Sequence, residues 1–208
     1  MDKAILDKIA SLKIVPVVKI DNAEDAEPLA EALCKGGLPV AEITFRTSAA
    51  VEAIKAMKKN PAMFVGAGTV TNLEQAKQAV DAGAEFMVTP GFSQKVTEFA
   101  VNNNIPILPG ICTATEIMML LEYGLPVAKF FPAEQYGGIN TIKALSGPFP
   151  DLKFMPTGGI GPSNIFNYLA LPQIIACSGS WMVKDHLISS HKFGEIEKLT
   201  KRAVQLVK

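Results

Sequence analysis

The stretch Ile107–Pro132, ILPGICTATEIMMLLEYGLPVAKFFP, indicates the fold of the whole chain. Its two ends, Ile107–Ile111 and Val127–Pro132, are short apolar runs of the kind that form buried strands. Between them, Thr113 and Glu116 match a capping box, which predicts the start of a helix, and a later glycine predicts its end. Strand, helix and strand in this order form the repeating unit of a parallel α/β fold.

The same alternation recurs along the chain at intervals of roughly 20 to 27 residues. The eight predicted strands are Ile14–Ile20, Ala41–Phe45, Met63–Val70, Phe86–Gly91, Ile107–Ile111, Val127–Pro132, Lys153–Ile160 and Ile174–Met182. Helical patterns fill the gaps, and a second capping box is predicted at Thr71 and Glu74. We therefore predict an α/β fold, a (β/α)8 TIM barrel, in one domain over residues 1–208, with an extra N-terminal helix at residues 2–11.

Composition argues against several classes of function. The 208 residues include 20 basic and 20 acidic side chains without long blocks, which predicts neither nucleic-acid binding nor membrane binding. No apolar run has the length of a membrane span, and the first residues do not resemble a signal peptide. Cys34, Cys112 and Cys177 are far apart in sequence, so no disulfide or cysteine metal site is predicted, and a cytoplasmic setting is expected.

Lys129 is the residue that most directly suggests chemistry. It lies inside the apolar run Val127–Pro132, where an unpaired ammonium group would be costly to bury unless it lost its proton. A neutral lysine amine is a nucleophile that forms Schiff bases with carbonyl substrates. The alternative is a structural lysine whose amine reaches water at the end of the strand.

The second predicted strand places charged residues on one face. Glu42, Thr44 and Arg46 alternate with apolar residues, so the period of two in a strand directs them to the same side. Barrel enzymes carry their chemistry at the carboxyl ends of the strands. Glu42 could transfer protons and Arg46 could bind a carboxylate there, or the two could form a structural ion pair.

Glycine-rich turns follow the last two predicted strands. Gly158 and Gly159 lie in the first turn, and Gly179 and Ser180 lie in the second. In barrels of this kind a phosphate group commonly binds between these two loops, although tight turns alone could explain the glycines. In the third strand, Thr69 follows two further glycines, which either allow close backbone approach or fill a narrowing barrel.

Other candidates are weaker. His186 and His191 lack a supporting carboxylate cluster, so no metal site is predicted. Lys19 also follows an apolar strand, but it precedes a helix-start signal and is expected at the solvent edge. Glu85 opens its strand and is expected at the opposite end of the barrel, and Cys112 has no base to activate it.

Together these motifs resemble those of a known family, the class I aldolases for 2-keto-3-deoxy-6-phosphogluconate (KDPG), which often also act on 4-hydroxy-2-oxoglutarate (KHG). The resemblance covers nearly the whole chain. It is carried by Glu42–Thr47, Val65–Val70, Thr89–Gly91, Lys129–Glu134, Pro156–Ile160 and Gly179–Trp181.

The resemblance implies that Lys129 forms the Schiff base and that Glu42 is the general acid and base. It implies that Arg46 and Thr69 bind the pyruvate carboxylate and that Thr157 lies near the substrate hydroxyls. The other implied substrate contacts are Pro90, Phe131, Gly158, Gly159, Gly179 and Ser180. A keto-acid phosphate substrate, the absence of any cofactor or metal, and a homotrimer are implied as well.

Several alternatives remain open at the level of sequence. An arginine at position 46 and a threonine at position 157 favour KDPG over its galactonate-derived epimer, for which relatives differ at these places. Another phosphate-binding barrel enzyme, such as an epimerase or isomerase, would use Lys129 only to pair with an anion. A sugar-phosphate binding module without turnover is the third alternative, although it would have no need for Lys129 and Glu42 together.

Overall fold

Parallel strands and helices alternate along the chain, as the sequence predicts. The computed structural model describes residues 3–208. The strands of this part are β1 (Ile14–Val18), β2 (Val40–Thr44), β3 (Phe64–Gly68), β4 (Phe86–Val88), β5 (Ile107–Leu108), β6 (Gly110–Ile111), β7 (Val127–Phe130), β8 (Lys153–Pro156) and β9 (Cys177–Gly179).

A helix lies in each interval between these strands except that between β5 and β6, and the longest helix of the described residues is the last. The α-helices are α1 (Lys3–Leu12), α2 (Ala26–Lys35), α3 (Ala50–Lys58), α4 (Leu73–Asp81), α5 (Gln94–Asn102), α6 (Ala114–Glu122), α7 (Gly138–Ser146), α8 (Ile165–Leu169), α9 (Asp185–Ser189) and α10 (Phe193–Leu206). Two short 3-10 helices lie at Ala23–Asp25 and Glu134–Tyr136.

All strand pairs are parallel, in two sheets. The first has the order β5-β4-β3-β2-β1-β9, and the second has the order β6-β7-β8. Isolated bridges from Phe154 to Ile174 and from Thr157 to Ser178 connect the β8 and β9 segments. Strands buried on both faces have near-continuous apolar sequences, and β1, with all five residues buried, is an example.

The predicted fifth strand is interrupted. Leu108 ends β5, which pairs with β4, and Gly110 begins β6, which pairs with β7. Between them lies Pro109, which has no N–H to donate to a ladder, although its carbonyl accepts from Lys129 N at 2.9 Å. The proline therefore divides one predicted strand into two short strands. The first pairs with β4 and the second pairs with β7, so the chain still passes directly from one sheet to the other.

Helix α1 begins at Lys3, and residue 2 of the predicted helix lies outside the described residues. Ile9 is fully buried, and the Lys8 amine lies 4.2 Å from the centroid of the Phe64 ring at the start of β3. The chain then enters β1 through Lys13, whose carbonyl accepts from Cys177 N at 2.8 Å. Helix α1 thus lies at the amino ends of β1, β3 and β9.

One predicted helix start is confirmed and the other is wrong. At α6, Thr113 and Glu116 form both hydrogen bonds of the capping box. At α4, the capping residue is Asn72, whose Oδ1 accepts from Gln75 N at 2.9 Å. The cap lies one residue later than the predicted Thr71 because asparagine is at least as good an N-cap as threonine.

Candidate active site

A buried ion pair joins strands of the two sheets. Lys129 Nζ in β7 is 3.3 Å from Glu42 Oε1 in β2, and the two side chains are 5% and 0% exposed. Because β2 and β7 are not neighbours in a sheet, this contact crosses between them. The predicted proximity of the two residues is confirmed, and Lys129 is a paired lysine rather than an isolated one.

Glycines of β3 make room for neighbouring side chains, one of which is Glu42. A Cβ atom at Gly68 would lie 2.2 Å from Glu42 Oε1, and one at Gly66 would lie 2.2 Å from the Phe86 ring. Two side chains therefore occupy the space beside these glycines, which supports the interpretation that small residues fit a filled barrel. Thr69, the next residue, has a φ of 55°, a conformation that β-branched residues rarely adopt.

The Glu42 carboxylate is only partly hydrogen-bonded. Its Oε1 accepts from Lys129, whereas Oε2 is buried and has no hydrogen-bond partner among the described residues. Most buried polar atoms in proteins have a partner, and an unpaired carboxylate oxygen in an apolar setting is costly. An oxygen in this state can accept a proton, which is the property that acid–base chemistry needs.

A cavity of about 260 Å3 lies at the carboxyl ends of the strands. The predicted site residues in its lining are Arg46, Phe131, Thr157, Gly158, Gly159, Gly179 and Ser180. The centroid of the Phe131 ring, which is part of this lining, is 5.2 Å from Lys129 Nζ, so the cavity lies close to the ion pair. Thr69 and Pro90 follow β3 and β4 and are not part of this lining.

Local backbone geometry and packing explain why glycine occupies these positions in the two turns. Gly158 and Gly159 have φ values of 103° and 76°, which favour glycine. At Gly179, a Cβ atom would lie 2.2 Å from the Trp181 ring. These residues leave backbone groups exposed to the cavity, and the buried Thr157 Oγ1 has no hydrogen-bond partner among the described residues.

Lys19 lies at the solvent edge as expected, and it is also a cavity residue that the sequence motifs do not assign to the site. It lines the cavity, and its Nζ lies 2.8 Å from Asp21 Oδ2 and 4.0 Å from Asp185 Oδ2. The hydrogen bond that the Lys19 amine donates to Asp21 is the main cause that raises the pKa of Lys19 above its usual value. The sequence does contain an indication of this position, because Lys19 directly follows β1, and barrel enzymes carry their site residues at the carboxyl ends of the strands.

The weaker candidates lie elsewhere. Glu85 pairs with Lys58 at 2.7 Å and accepts from Val65 N at the amino ends of the strands. Exposed His191 lies 3.0 Å from Asp25. Burial and the nearby Glu116 carboxylate raise the pKa of the Cys112 thiol, which disfavours a thiolate nucleophile. Among residues 3–208, no three His, Cys, Asp or Glu side chains are grouped as a possible metal site.

Comparison with known proteins identifies the family. The model of the KDPG and KHG aldolase family matches residues 5–199. The chain belongs to the KDPG and KHG aldolase family. This confirms the resemblance that the motifs suggest, and the parallel α/β fold matches that of KDPG aldolases of known structure.

Relatives in this family are similar over almost their whole length. The 2-dehydro-3-deoxy-phosphogluconate aldolase of Haemophilus influenzae is 48% identical, over 98% of this chain and 97% of the relative. The KHG/KDPG aldolase of Escherichia coli is 42% identical, over 92% and 91%. The KDPG aldolase structure of Legionella pneumophila, with pyruvate captured as a covalent carbinolamine, is 40% identical with a TM-score of 0.90, over 93% and 95%.

Proposed function

We propose that this protein is a class I aldolase that cleaves KDPG to pyruvate and glyceraldehyde 3-phosphate, and KHG to pyruvate and glyoxylate. The observation that carries the proposal is the buried contact of 3.3 Å between Lys129 Nζ and Glu42 Oε1. An amine beside a carboxylate, next to a cavity at the carboxyl ends of the strands, provides both a nucleophile and a proton acceptor.

The first stage forms the Schiff base. The Lys129 ammonium group gives a proton to Glu42, and the neutral amine attacks the C2 carbonyl carbon of the substrate. The carbonyl π bond breaks, and a proton of the attacking nitrogen passes to the oxygen to give the carbinolamine. Glu42 then returns its proton to the carbinolamine hydroxyl, which leaves as water. The product is an iminium ion on Lys129, and Glu42 is again a carboxylate.

The second stage breaks the carbon–carbon bond. Glu42 removes the proton of the C4 hydroxyl, the C3–C4 bond breaks, and its electron pair passes to the iminium nitrogen. The aldehyde product leaves, and an enamine of pyruvate remains on Lys129. Glu42 returns the proton of the C4 hydroxyl to C3 of the enamine, and attack of water on the resulting iminium carbon breaks the C–N bond, releases pyruvate and restores the ammonium group and the carboxylate.

The cavity residues hold the two ends of the substrate. Arg46, together with Thr69, binds the pyruvate carboxylate, a group that suits the planar guanidinium fork. Phe131 lines the cavity near the carbonyl, and Pro90 and Thr69, which follow β4 and β3 outside the described lining, complete the pocket once substrate is bound. Thr157 presents its hydroxyl to those of the substrate.

The phosphate group binds at the far side of the cavity. Backbone groups of Gly158, Gly159, Gly179 and Ser180 face it, and these groups can donate to phosphate oxygens. Lys19 lies in the same lining and supplies a positive charge. KHG has no phosphate, so its cleavage leaves this end of the cavity unused.

Trapping with borohydride tests the Schiff base. The protein is incubated with pyruvate and sodium borohydride, and its peptides are analysed by mass spectrometry. We expect a stable adduct on Lys129 and none on Lys19. An unmodified Lys129 would exclude the imine mechanism and favour a barrel enzyme in which this lysine only pairs with an anion. Rates on KDPG, its galactonate-derived epimer and KHG then establish substrate preference.

We also propose that the strands form one closed (β/α)8 barrel in a single domain over residues 1–208, with α1 covering its amino end. The bridge between Thr157 and Ser178 supports closure on one side, and the short link through Pro109 supports it on the other. The contact of Lys8 with Phe64 supports the placement of α1 as a cover. One calorimetric unfolding transition is expected, and two separate transitions would contradict a single domain.

We further propose that the protein is a homotrimer. The exposed side chains of Met118, Met119 and Leu121 give α6 an apolar outer surface, which is typical of an interface between subunits. Light scattering coupled to gel filtration should give three times the chain mass, and Met118→Glu should lower it. A monomeric wild type would refute this assembly.

A cytoplasmic location is also proposed. Cys34, Cys112 and Cys177 are all free thiols, which fits a reducing compartment. No helix of residues 3–208 has the length and apolar character needed to span a membrane. Cell fractionation checks the location, and recovery of the protein outside the cytoplasmic fraction would refute it.

A further inference from the structure

A hydrogen bond behind the cavity joins two distant parts of the chain. The Tyr168 hydroxyl, on α8, donates to Oε1 of Glu134, in the 3-10 helix that follows β7. Tyr168 is only 1% exposed. Burial and the Glu134 carboxylate raise the pKa of the Tyr168 phenol, so it remains a protonated donor.

Glu134 also lies against the glycine turn that lines the cavity. A Cβ atom at Gly159 would lie 2.5 Å from Glu134 Cγ, so the two residues are in close contact. Glu134 N donates to the carbonyl of Gly158 at 3.1 Å, and Ala133 N donates to that of Thr157 at 2.8 Å. Glu134 therefore contacts the turn through its side chain and its backbone.

The turn depends on such neighbours for its shape. Gly158 and Gly159 lack side chains that could hold their positive φ values, and glycine is the most mobile residue in an unsupported loop. Asn164 supports one side of the turn, because its Nδ2 donates to Gly159 O and its Oδ1 accepts from Gly161 N, both at 2.9 Å. Glu134 supports the turn from the side of β7, and Tyr168 holds Glu134.

We propose that Glu134 and Tyr168 are positioning residues that hold the Gly158–Gly159 turn in the shape that binds phosphate, and so favour phosphorylated substrates over KHG. Neither residue is part of the described cavity lining, so their effect on substrate passes through the turn. The inference rests on the proposed function, because it concerns the phosphate end of the proposed substrate.

Tyr168→Phe removes the hydroxyl and keeps the ring. We expect KM for KDPG to rise about tenfold with kcat nearly unchanged, the effect of losing a hydrogen bond to a charged group, and kcat/KM for KHG to stay constant. Glu134→Gln keeps an acceptor oxygen and should retain most of the KDPG affinity, whereas Glu134→Ala should not. Glu134 is an exposed residue, so its variants remain informative even if Tyr168→Phe fails to fold.

Tyr123→Phe is a matched control, because the Tyr123 hydroxyl donates to Glu98 at 2.9 Å, between α6 and α5. It should leave the ratio of the two activities unchanged. Equal losses on KDPG and KHG in the Tyr168 and Glu134→Ala variants, or no loss in either, would overturn the inference.

A binding measurement separates this inference from the proposed reaction. Glycerol 3-phosphate is titrated by calorimetry into the wild type, Glu134→Ala and Tyr168→Phe, and we expect about tenfold weaker binding in both variants. If the wild type binds this probe but fails to cleave KDPG, the proposed function fails and the inference stands. Equal affinity in wild type and variants, or no binding by the wild type, would overturn the inference.

Discussion

Lys129 and Lys19 occupy similar places in the sequence and very different places in the structure. Each lies at or just after an apolar strand, and each has a carboxylate oxygen near its amine, at 3.3 Å from Glu42 and 2.8 Å from Asp21. The Lys129 side chain is 5% exposed and that of Glu42 is 0% exposed, whereas those of Lys19 and Asp21 are 34% and 62% exposed. Burial, rather than pairing, distinguishes the two lysines.

This difference suits the two lysines to different tasks. Charges interact more strongly away from water, so proton exchange within the buried pair changes the chemistry of both of its members. An exposed pair is screened by solvent and adds little to stability, so its lysine remains a mobile positive charge. Lys129 is therefore suited to be a nucleophile, and Lys19 is suited to attract a phosphate group.

Lys129→Met should have the largest effect. Methionine has no amine to form the imine, so pyruvate release from KDPG should fall by at least about 10,000-fold. The variant also leaves Glu42 buried without its partner, which should cost about 3–5 kcal/mol of unfolding free energy unless the carboxyl group takes up a proton. Pyruvate release and chemical denaturation measure these two effects. Residual activity near that of the wild type would show that the nucleophile lies elsewhere.

Glu42→Gln breaks the same pair from its other side. Glutamine keeps the shape of the side chain and can accept a hydrogen bond, but it cannot shuttle protons, so kcat should fall by about 100- to 10,000-fold. Lys129 is still present, so slow trapping with pyruvate and borohydride should continue. Comparing the rate of trapping with kcat distinguishes imine formation on Lys129 from proton transfer by Glu42. An unchanged kcat would show that Glu42 has no part in the mechanism.

The proximity of Glu42 and Lys129 could be predicted from the sequence because it depends on the regular geometry of parallel strands. Side chains alternate along a strand, and parallel strands bring their carboxyl ends to one side of the sheet. Strand boundaries were less accurate, since Pro109 divides one predicted strand and the last of them shortens to Cys177–Gly179.

Contacts outside these rules could not be predicted. The hydrogen bond between Glu134 and Tyr168 joins residues 34 positions apart, in a short 3-10 helix and in the five-residue helix α8, which are too short to show a periodic pattern. The φ of 55° at Thr69 opposes the preference of a β-branched residue, so only the surrounding packing can account for it. The partly exposed position of Lys19 agrees with the expectation from its helix-start signal. Its place in the cavity lining was not predicted, because that lining also depends on β9 and α9, which are distant in sequence.

Lys19→Met tests the exposed member of the comparison. Loss of one positive charge near a phosphate group should raise KM for KDPG by about tenfold and leave kcat nearly unchanged. KHG has no phosphate, so its kcat/KM should change by less than about twofold. Added salt should weaken KDPG binding less in the variant than in the wild type, because the variant lacks the attraction between Lys19 and the phosphate group that salt would screen. A similar loss on both substrates would place Lys19 at the reacting end of the cavity.

Asp21→Asn should have the smallest effect, visible only in alkaline solution. The Asp21 hydrogen bond is the main cause that raises the pKa of Lys19 above 10.5. In the wild type, the contribution of the Lys19 charge to phosphate affinity is therefore complete below that pH and is lost as the pH rises through the raised pKa. Asparagine removes the negative charge, lowers the pKa of Lys19 and moves the loss of affinity to lower pH.

Titrations of glycerol 3-phosphate over a pH series give the midpoint for the wild type, Asp21→Asn and Lys19→Met, and the last of these should lack the transition. If the first two midpoints coincide, the Asp21 carboxylate does not control the charge of Lys19, and Asp185, 4.0 Å from the same amine, becomes the group to test.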